Sequence, residues 1–501
     1  MSNYILGIDN GGTITKAGLF TLDGTEITVA SEKTKMLMPE PSHTERNMEE
    51  LWQANIRVIQ KVLKQSRINS SEIRGIGITG HGNGLYLARE DGSPVGNGII
   101  STDSRAKEIV QAWYDCGVVD TILPKTMQSI WSGQPAALLA WLKRHRPEVL
   151  EEARWILMCK DYIRFRITGV AAAEITDISG TSLFNIRDMQ YDDEILSSLG
   201  LEDITGKLPP VKYSGEICGY VTEEVAQITG LKEGTPVAGG LFDIDAAAVA
   251  TGVTDEDKLC IVAGTWSINQ YVSKVPIVDK DLFMTSVFCI PGYWLTLEGS
   301  PTSASNLEWF VNEYFNFEHE ETKDRGISIY ELCNEMVEST APDESNILFF
   351  PYLFGSNVHP NAKACFFGIN GWHTKAHMLR ALYEGVTFGH KIHFDKLLKF
   401  RDHPQTIRIA GGVTRSNVWM QMFADILQTP IEVVNGTEQG TLGAAICSAV
   451  ATGAYDSFQT ATNQMVNVGK AYIPRPSVKA IYEEKYAYFN RVLDALDPIW
   501  K

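Results

Sequence analysis

No two of the eight cysteines stand close together and no C-x-x-C occurs, which excludes a disulfide framework and a zinc cluster. Thiols scattered in this way belong buried in a reducing compartment. Positive charge is scarce: 44 Lys and Arg face 61 Asp and Glu, for a formal net charge of −17. Nucleic acid and anionic membranes are thereby excluded as main partners, since both need a basic footprint. A neutral substrate fits more easily than an anionic one. No apolar run reaches the ~18 residues of a membrane span. Asp9 interrupts the start before a signal-peptide apolar region can form, so a cytoplasmic protein is expected. No G-x-x-x-x-G-K-[ST] occurs either: Gly206-Lys207 and Gly469-Lys470 are followed by Leu208 and Ala471.

What the chain does have is three glycine-rich turns, each after a short apolar, strand-like run. They are Gly7-Ile8-Asp9-Asn10-Gly11-Gly12-Thr13, Ala263-Gly264-Thr265 and Ile409-Ala410-Gly411-Gly412. Small residues at strand ends let backbone N–H groups approach phosphate oxygens. With 501 residues the chain holds more than one core. Such turns in separate halves predict a nucleotide gripped between two similar domains, 1–253 and 254–501.

Apolar runs at 4–8, 16–22 and 26–30 read as strands, with a tight turn at Asp23-Gly24. Residues 48–63 show helical spacing and 73–79 read as a strand again. A mixed sheet with helices on its faces follows. Residues 136–168 look mostly helical. From 258 the opening pattern restarts, with strand-like runs at 259–262 and 268–272 around Gly264-Thr265.

Two tempting motifs fail. Gly75-Ile76-Gly77-Ile78-Thr79-Gly80 fits G-x-G-x-x-G, but its glycines lie within a strand and not at a strand-to-helix turn. His373 and His377 could share a helix face, yet Thr374, Lys375 and Ala376 supply no catalytic glutamate. An exposed first helical turn is expected there.

Asp9 ends an apolar strand ahead of two glycines, where a carboxylate can hold Mg²⁺ through water. Thr13 offers a hydroxyl and an N–H to phosphate, and Lys16 adds charge. The competing reading is a plain Asp–Gly turn. Asp243 follows Gly239-Gly240 and opens an alanine-rich helix, as a general base or as a simple cap. Asp245, two residues on, is an alternative that the residues alone do not separate. Asp103 and Arg105, with His81 and Asn83, can hydrogen-bond a polyhydroxylated ligand; the alternative is a surface salt bridge.

These residues together resemble the FGGY carbohydrate kinases over nearly the whole length. Besides the turns, the likeness runs through Ile76–Gly84 with Asp103 and Arg105, Lys160-Asp161-Tyr162 and Thr176-Asp177-Ile178-Ser179. It continues with Gly239–Asp243, Phe354-Gly355-Ser356-Asn357, Glu384-Gly385, Trp419-Met420-Gln421 and Gly443-Ala444-Ala445. It is closest to the L-xylulose kinase branch, through Leu241-Phe242-Asp243, Gly264-Thr265-Trp266 and Ser300-Pro301-Thr302-Ser303.

The resemblance implies an α/β fold of two ribonuclease-H-like domains, of the actin and hexokinase ATPase type, flanking a catalytic cleft. It implies ATP-dependent phosphorylation of a primary hydroxyl, most nearly of L-xylulose, with ATP and Mg²⁺ as cofactors. Asp243 matches the catalytic base and Asp9 the Mg²⁺-site aspartate. Gly11, Gly12, Thr13 and Lys16 match the first phosphate motif, and Gly264 and Thr265 the second. Gly411, Gly412, Ser416 and Asn417 match the adenosine stretch. His81, Gly82, Asn83 and Asp103 match sugar-pocket positions, beside Asp243. Dimers are common in the family, so a homodimer is the expectation.

The chain also departs from the common pattern. Gly12 replaces a Thr, Trp266 a Ser, and His81-Gly82-Asn83 stands where D-xylulose kinases often carry Gln-Met-His. D-ribulose, D-xylulose, erythritol and glycerol are alternative substrates. A nucleotide-dependent sugar sensor without turnover is the alternative of another class.

Overall fold

The computed structural model describes residues 3–356, 361–436 and 438–500; Asn357 of the Phe354-Gly355-Ser356-Asn357 motif lies outside them. The chain divides into two compact units. One comprises Met1–Thr254, Val272–Thr296 and Gly436–Asn467, the other Asp255–Tyr271, Leu297–Asn435 and Val468–Lys501.

The first unit is built on a mixed sheet ordered Ile217–Tyr220, Pro236–Ala238, Ile73–Gly80, Tyr4–Asn10, Ile14–Thr21, Glu26–Lys33. The opening three strands form the expected antiparallel meander, and Tyr4–Asn10 runs parallel to Ile73–Gly80. Helix Met48–Ser66 packs on the meander through Leu51, Ile59 and Val62, one apolar face at helical spacing. Asn47 caps it by accepting the Glu50 N–H.

The glycines of the false dinucleotide motif have a packing cause. Helix Gln439–Ala451 lies against the two parallel strands. A Cβ on Gly77 would stand 1.8 Å from the Ala444 carbonyl, and one on Gly7 1.9 Å from that of Thr441. Only backbone without a side chain admits the helix so close. In turn, a Cβ on Gly443 of that helix would meet the Ala246 carbonyl of helix Asp243–Ala250 at 2.3 Å.

The second unit repeats the plan from residue 258. Lys258–Ala263 pairs antiparallel with the strand that begins at Ser267 and parallel with Thr406–Ala410. Thr406–Ala410 pairs parallel with Ile431–Val434, which pairs antiparallel with Val468–Tyr472. Helix Lys375–Leu397 supplies much of the apolar packing. One expectation here is corrected: His377 is 7% exposed, because its Nδ1 accepts the Thr374 N–H and its Nε2 faces Glu344. Among the described residues no helix is long and apolar enough to cross a membrane.

Candidate active site

In the first unit, Asp9 stands near the C-terminal end of the inner strand Tyr4–Asn10, opposite Lys16 on one side and Thr79 on the other. Loss of hydration pushes the Asp9 carboxyl up to about 6, against the pull of Lys16. Lys16 turns its ammonium to Glu438, 2.5 Å away. Gly440 faces Asp9: a Cβ there would lie 2.3 Å from its Oδ2. The turn beyond Asp9 is tied by a residue that sequence reasoning missed. Arg46, 1% exposed, donates through Nη2 to the carbonyls of Gly11 and Gly12, and its Nε and Nη1 have no hydrogen-bond partner.

Leu241–Phe242 pairs parallel with the end of Ile73–Gly80, which brings Asp243 beside the His81-Gly82-Asn83 loop. The Ile244 and Gly82 N–H groups favour the charged form of the Asp243 carboxyl. Burial nevertheless pushes it up to about 8, with the charges of Asp9 and Asp177 adding to the shift. Asp245 is sealed at 0% exposure, where burial and then the charge of Glu174 push its carboxyl well up against the pull of the Cys289 backbone N–H, whereas Asp243 is only partly buried. The two candidate bases, inseparable in sequence, thus have different surroundings.

Asp243 also has a support that was missed. The Phe242 N–H donates to Thr176 Oγ1 at 2.9 Å, and that hydroxyl donates to Glu174 Oε2 at 2.7 Å. Glu174 caps helix Ile175–Ile178 and faces Lys160 Nζ at 3.3 Å. Lys160, fully buried, also pairs with Asp161 and Asp177, each at 3.0 Å. A lysine inside an otherwise buried helical stretch was the available signal, because such a charge requires partners.

The sugar-pocket candidates differ in what they can still offer. His81 Nε2 lies 2.8 Å from the Tyr86 hydroxyl, and burial, then Arg46, lowers its pKa to about 3. The imidazole is therefore neutral. Asn83 adopts φ +57°, and its Oδ1 is buried with no partner, an acceptor left open for a ligand hydroxyl. Gly82 has no room for a side chain, since a Cβ would meet the Phe242 ring at 1.8 Å. Asp103 is buried, not a surface ion. Oδ1 accepts from the Arg105 N and Nε, while Oδ2 accepts from the Thr44 N and Arg105 Nη2. A sugar hydroxyl would share one of those four positions.

The second unit contains a hollow of about 590 Å³, within the range of small-molecule sites. Gly264, Thr265, Gly412 and Ser416 line it, with Tyr383 and Trp419 stacked at 4.0 Å in its wall. Gly411 sits behind, at φ +104°, where a Cβ would strike the Ala263 carbonyl at 2.4 Å. Asn417 does not join them: its Oδ1 accepts from Lys470 and Tyr472, and it borders a separate hollow. Asn334 was missed, and its Oδ1 accepts from Ser416 and Tyr383.

Each unit, taken by itself, has features that suit part of a magnesium–nucleotide ligand. A Cβ on Gly12, Gly264 or Gly412 would meet nothing within 4 Å, so the fold itself does not require glycine there. The open space suits phosphate oxygens approaching backbone N–H groups. Among the described residues no cluster of three His, Cys, Asp or Glu forms a metal cage. Asp9 alone suits Mg²⁺, which keeps water and phosphate as its other ligands.

Residues 4–250 match the N-terminal domain of the FGGY family of carbohydrate kinases, and residues 259–452 its C-terminal domain. The chain is 39% identical to a probable L-xylulose kinase of Pasteurella multocida over 99% of each chain. It is 36% identical to the L-xylulose/3-keto-L-gulonate kinase of Escherichia coli, over 99% of this chain and 98% of that one. In fold it is similar to a ligand-bound xylulose kinase from Lactobacillus acidophilus, with a TM-score of 0.89 at 23% identity over 98% of each chain.

Proposed function

The chain belongs to the FGGY family of carbohydrate kinases, two-domain α/β enzymes that use ATP and typically Mg²⁺, and we propose that it phosphorylates a primary hydroxyl of L-xylulose. The observation that carries the reading is that the pairing of Leu241–Phe242 brings the Asp243 carboxyl to the His81-Gly82-Asn83 loop, where Asn83 Oδ1 is buried without a partner. The relatives named as L-xylulose kinases supply the sugar.

The two halves, 1–253 and 254–501, divide the work. In the first, Asn83 and Asp243 hold the sugar, with His81 and Asp103 shaping the loops around it. Asp243 takes the proton from the attacking hydroxyl. Thr176 keeps the Asp243 backbone in place through Phe242. Arg46 fixes the turn that presents Thr13. In the second half, Gly264, Thr265 and Gly412 leave room for the nucleotide, and Ser416 anchors its wall to Asn334. Asp9 would hold Mg²⁺, which supplies neutralisation of the charge on the transferring phosphoryl group. The chain's own contribution is mostly positioning and fixed donors. A homodimer is part of the proposal by family analogy.

A coupled ADP-release assay with MgATP tests the substrate. Strong turnover on L-xylulose, and little on D-ribulose, D-xylulose, erythritol or glycerol, is expected. Silence on every sugar would contradict the enzyme reading and favour a sensor.

Two variants probe the first compact unit. Gly440→Ala places a methyl where the Asp9 carboxylate lies, so the Mg²⁺ concentration for half-maximal rate should rise roughly tenfold or more, as when a ligand's support is lost. A melting temperature close to wild type would show that folding is intact. Asp103→Ala should raise KM for the sugar far more than KM for ATP. It also strands the buried Arg105 guanidinium on Glu45 alone, so a lower melting temperature is expected. Equal effects on both KM values would assign Asp103 to structure only.

A further inference from the structure

Helix Lys375–Leu397 sends His390 into the interior of the second unit, where it is 0% exposed. Its Nδ1 lies 2.9 Å from Asn269 Oδ1 and 3.0 Å from Ser267 Oγ, and its Nε2 lies 2.9 Å from Ser303 Oγ. The partners determine the tautomer. Asn269 Nδ2 donates to the Glu298 carbonyl, which can only accept, so the amide oxygen of Asn269 is the atom that faces the ring. That oxygen also only accepts. Nδ1 therefore carries the proton, and Nε2 accepts from the Ser303 hydroxyl. Burial keeps the ring neutral, its pKa lowered to about 3 with His393 contributing.

The two serines lead to two walls of one hollow. Ser267 opens the strand that leaves the Gly264-Thr265 turn. Ser303 stands just ahead of helix Ser305–Tyr314, whose first turn lines the hollow with Ala304, Ser305 and Leu307. The walls also touch directly, through Ser305 Oγ and the Thr265 carbonyl at 3.3 Å. His390 is not part of the lining; it joins the walls from behind.

We propose that His390 is a positioning residue of the nucleotide site, a strut whose imidazole sets the spacing between the Gly264-Thr265 turn and the first turn of helix Ser305–Tyr314. The inference rests on the reading of this hollow as the nucleotide site. Ring geometry does the work: a protonated imidazole would lose the lone pair that Ser303 needs, and an alanine would leave the Ser303 hydroxyl facing a void and Ser267 Oγ held by Asn269 Nδ2 without the ring. The site would loosen for the nucleotide, while the sugar residues of the other half would be untouched.

The test is a set of variants measured for KM of both substrates, for ADP binding by calorimetry without sugar, and for melting temperature. His390→Ala should weaken ADP binding and raise KM for ATP roughly tenfold, the scale of one or two lost buried hydrogen bonds, with KM for sugar within about twofold. Ser303→Ala should move ATP in the same direction, and Ser303→Thr, which keeps the hydroxyl, should restore it. If His390→Ala fails to fold, the Ser303 pair decides the matter. Parallel rises in both KM values, or Ser303→Ala and Ser303→Thr behaving alike, would overturn the strut. A wild-type chain that binds sugar but no ADP would instead overturn the nucleotide reading, and the strut with it.

Discussion

Asp243→Asn is expected to lower kcat by roughly 10²–10⁴-fold, the range for loss of a general base, with sugar and ATP binding close to wild type. The amide keeps the shape of the carboxyl and can still accept the Gly82 N–H. It cannot take a proton. The same assignment predicts a pH dependence. Burial and the neighbouring charges of Asp9 and Asp177 raise the Asp243 carboxyl to about 8 in the free protein. A base must be unprotonated, so kcat/KM should climb as pH rises through that region and level off above it. Asp245→Asn should leave this limb in place. A variant Asp243→Asn with an intact rate, or an acid limb in the ordinary carboxylate range near pH 4, would remove Asp243 from the role.

Lys160→Met should be the most destabilising single change in the first half. Lys160 is 0% exposed and stands among Asp161, Glu174 and Asp177. Methionine fills the space but leaves those carboxylates without their shared cation. Removing one partner of a buried ion cluster costs about 3–5 kcal/mol. For a unit of this size that is a drop in melting temperature on the order of 10 °C. The deficit should depend on pH. A carboxylate whose folded pKa is raised contributes stability below its unfolded value and loses it as pH rises through the folded value. Asp177 already sits near 7 with Lys160 present, from burial first, and losing the cation raises it further. The gap between variant and wild type should therefore widen from pH 5 to pH 8. Scanning calorimetry across that range checks it; a gap independent of pH would mean that the loss is one of packing. Because Glu174 supports Thr176, and Thr176 the Phe242 N–H, the variant should lose turnover even where it remains folded.

Much of the fold was legible because its signals are local. An apolar run, a glycine turn and a second apolar run predict the strand pairs at both ends, and the restart at 258 follows the same pattern. What escaped depends on contacts distant in sequence. Gly75-Ile76-Gly77 looked like a motif without a use, because the helix that needs Gly77 begins at Gln439. Asp243 and Asp245 could not be separated by spacing, since the difference lies in which one meets the Gly82 loop. Asn417 follows Ser416 directly, yet its side chain turns to Lys470 and Tyr472 on another strand. Arg46 gave no local sign, because its partners are the carbonyls of Gly11 and Gly12. Nothing in the structure explains why Trp266 stands where the family often has Ser.

The central claim is transfer of a phosphoryl group to a primary hydroxyl of the sugar, and the product itself tests it most directly. Wild-type protein, MgATP and L-xylulose would be incubated to completion and the mixture examined by phosphorus–proton correlation NMR. The account predicts one sugar phosphate per ADP, with phosphorus coupled to a terminal CH₂ group. ADP accompanied only by inorganic phosphate, or by no phosphorylated sugar from any ketose or polyol offered, would contradict it.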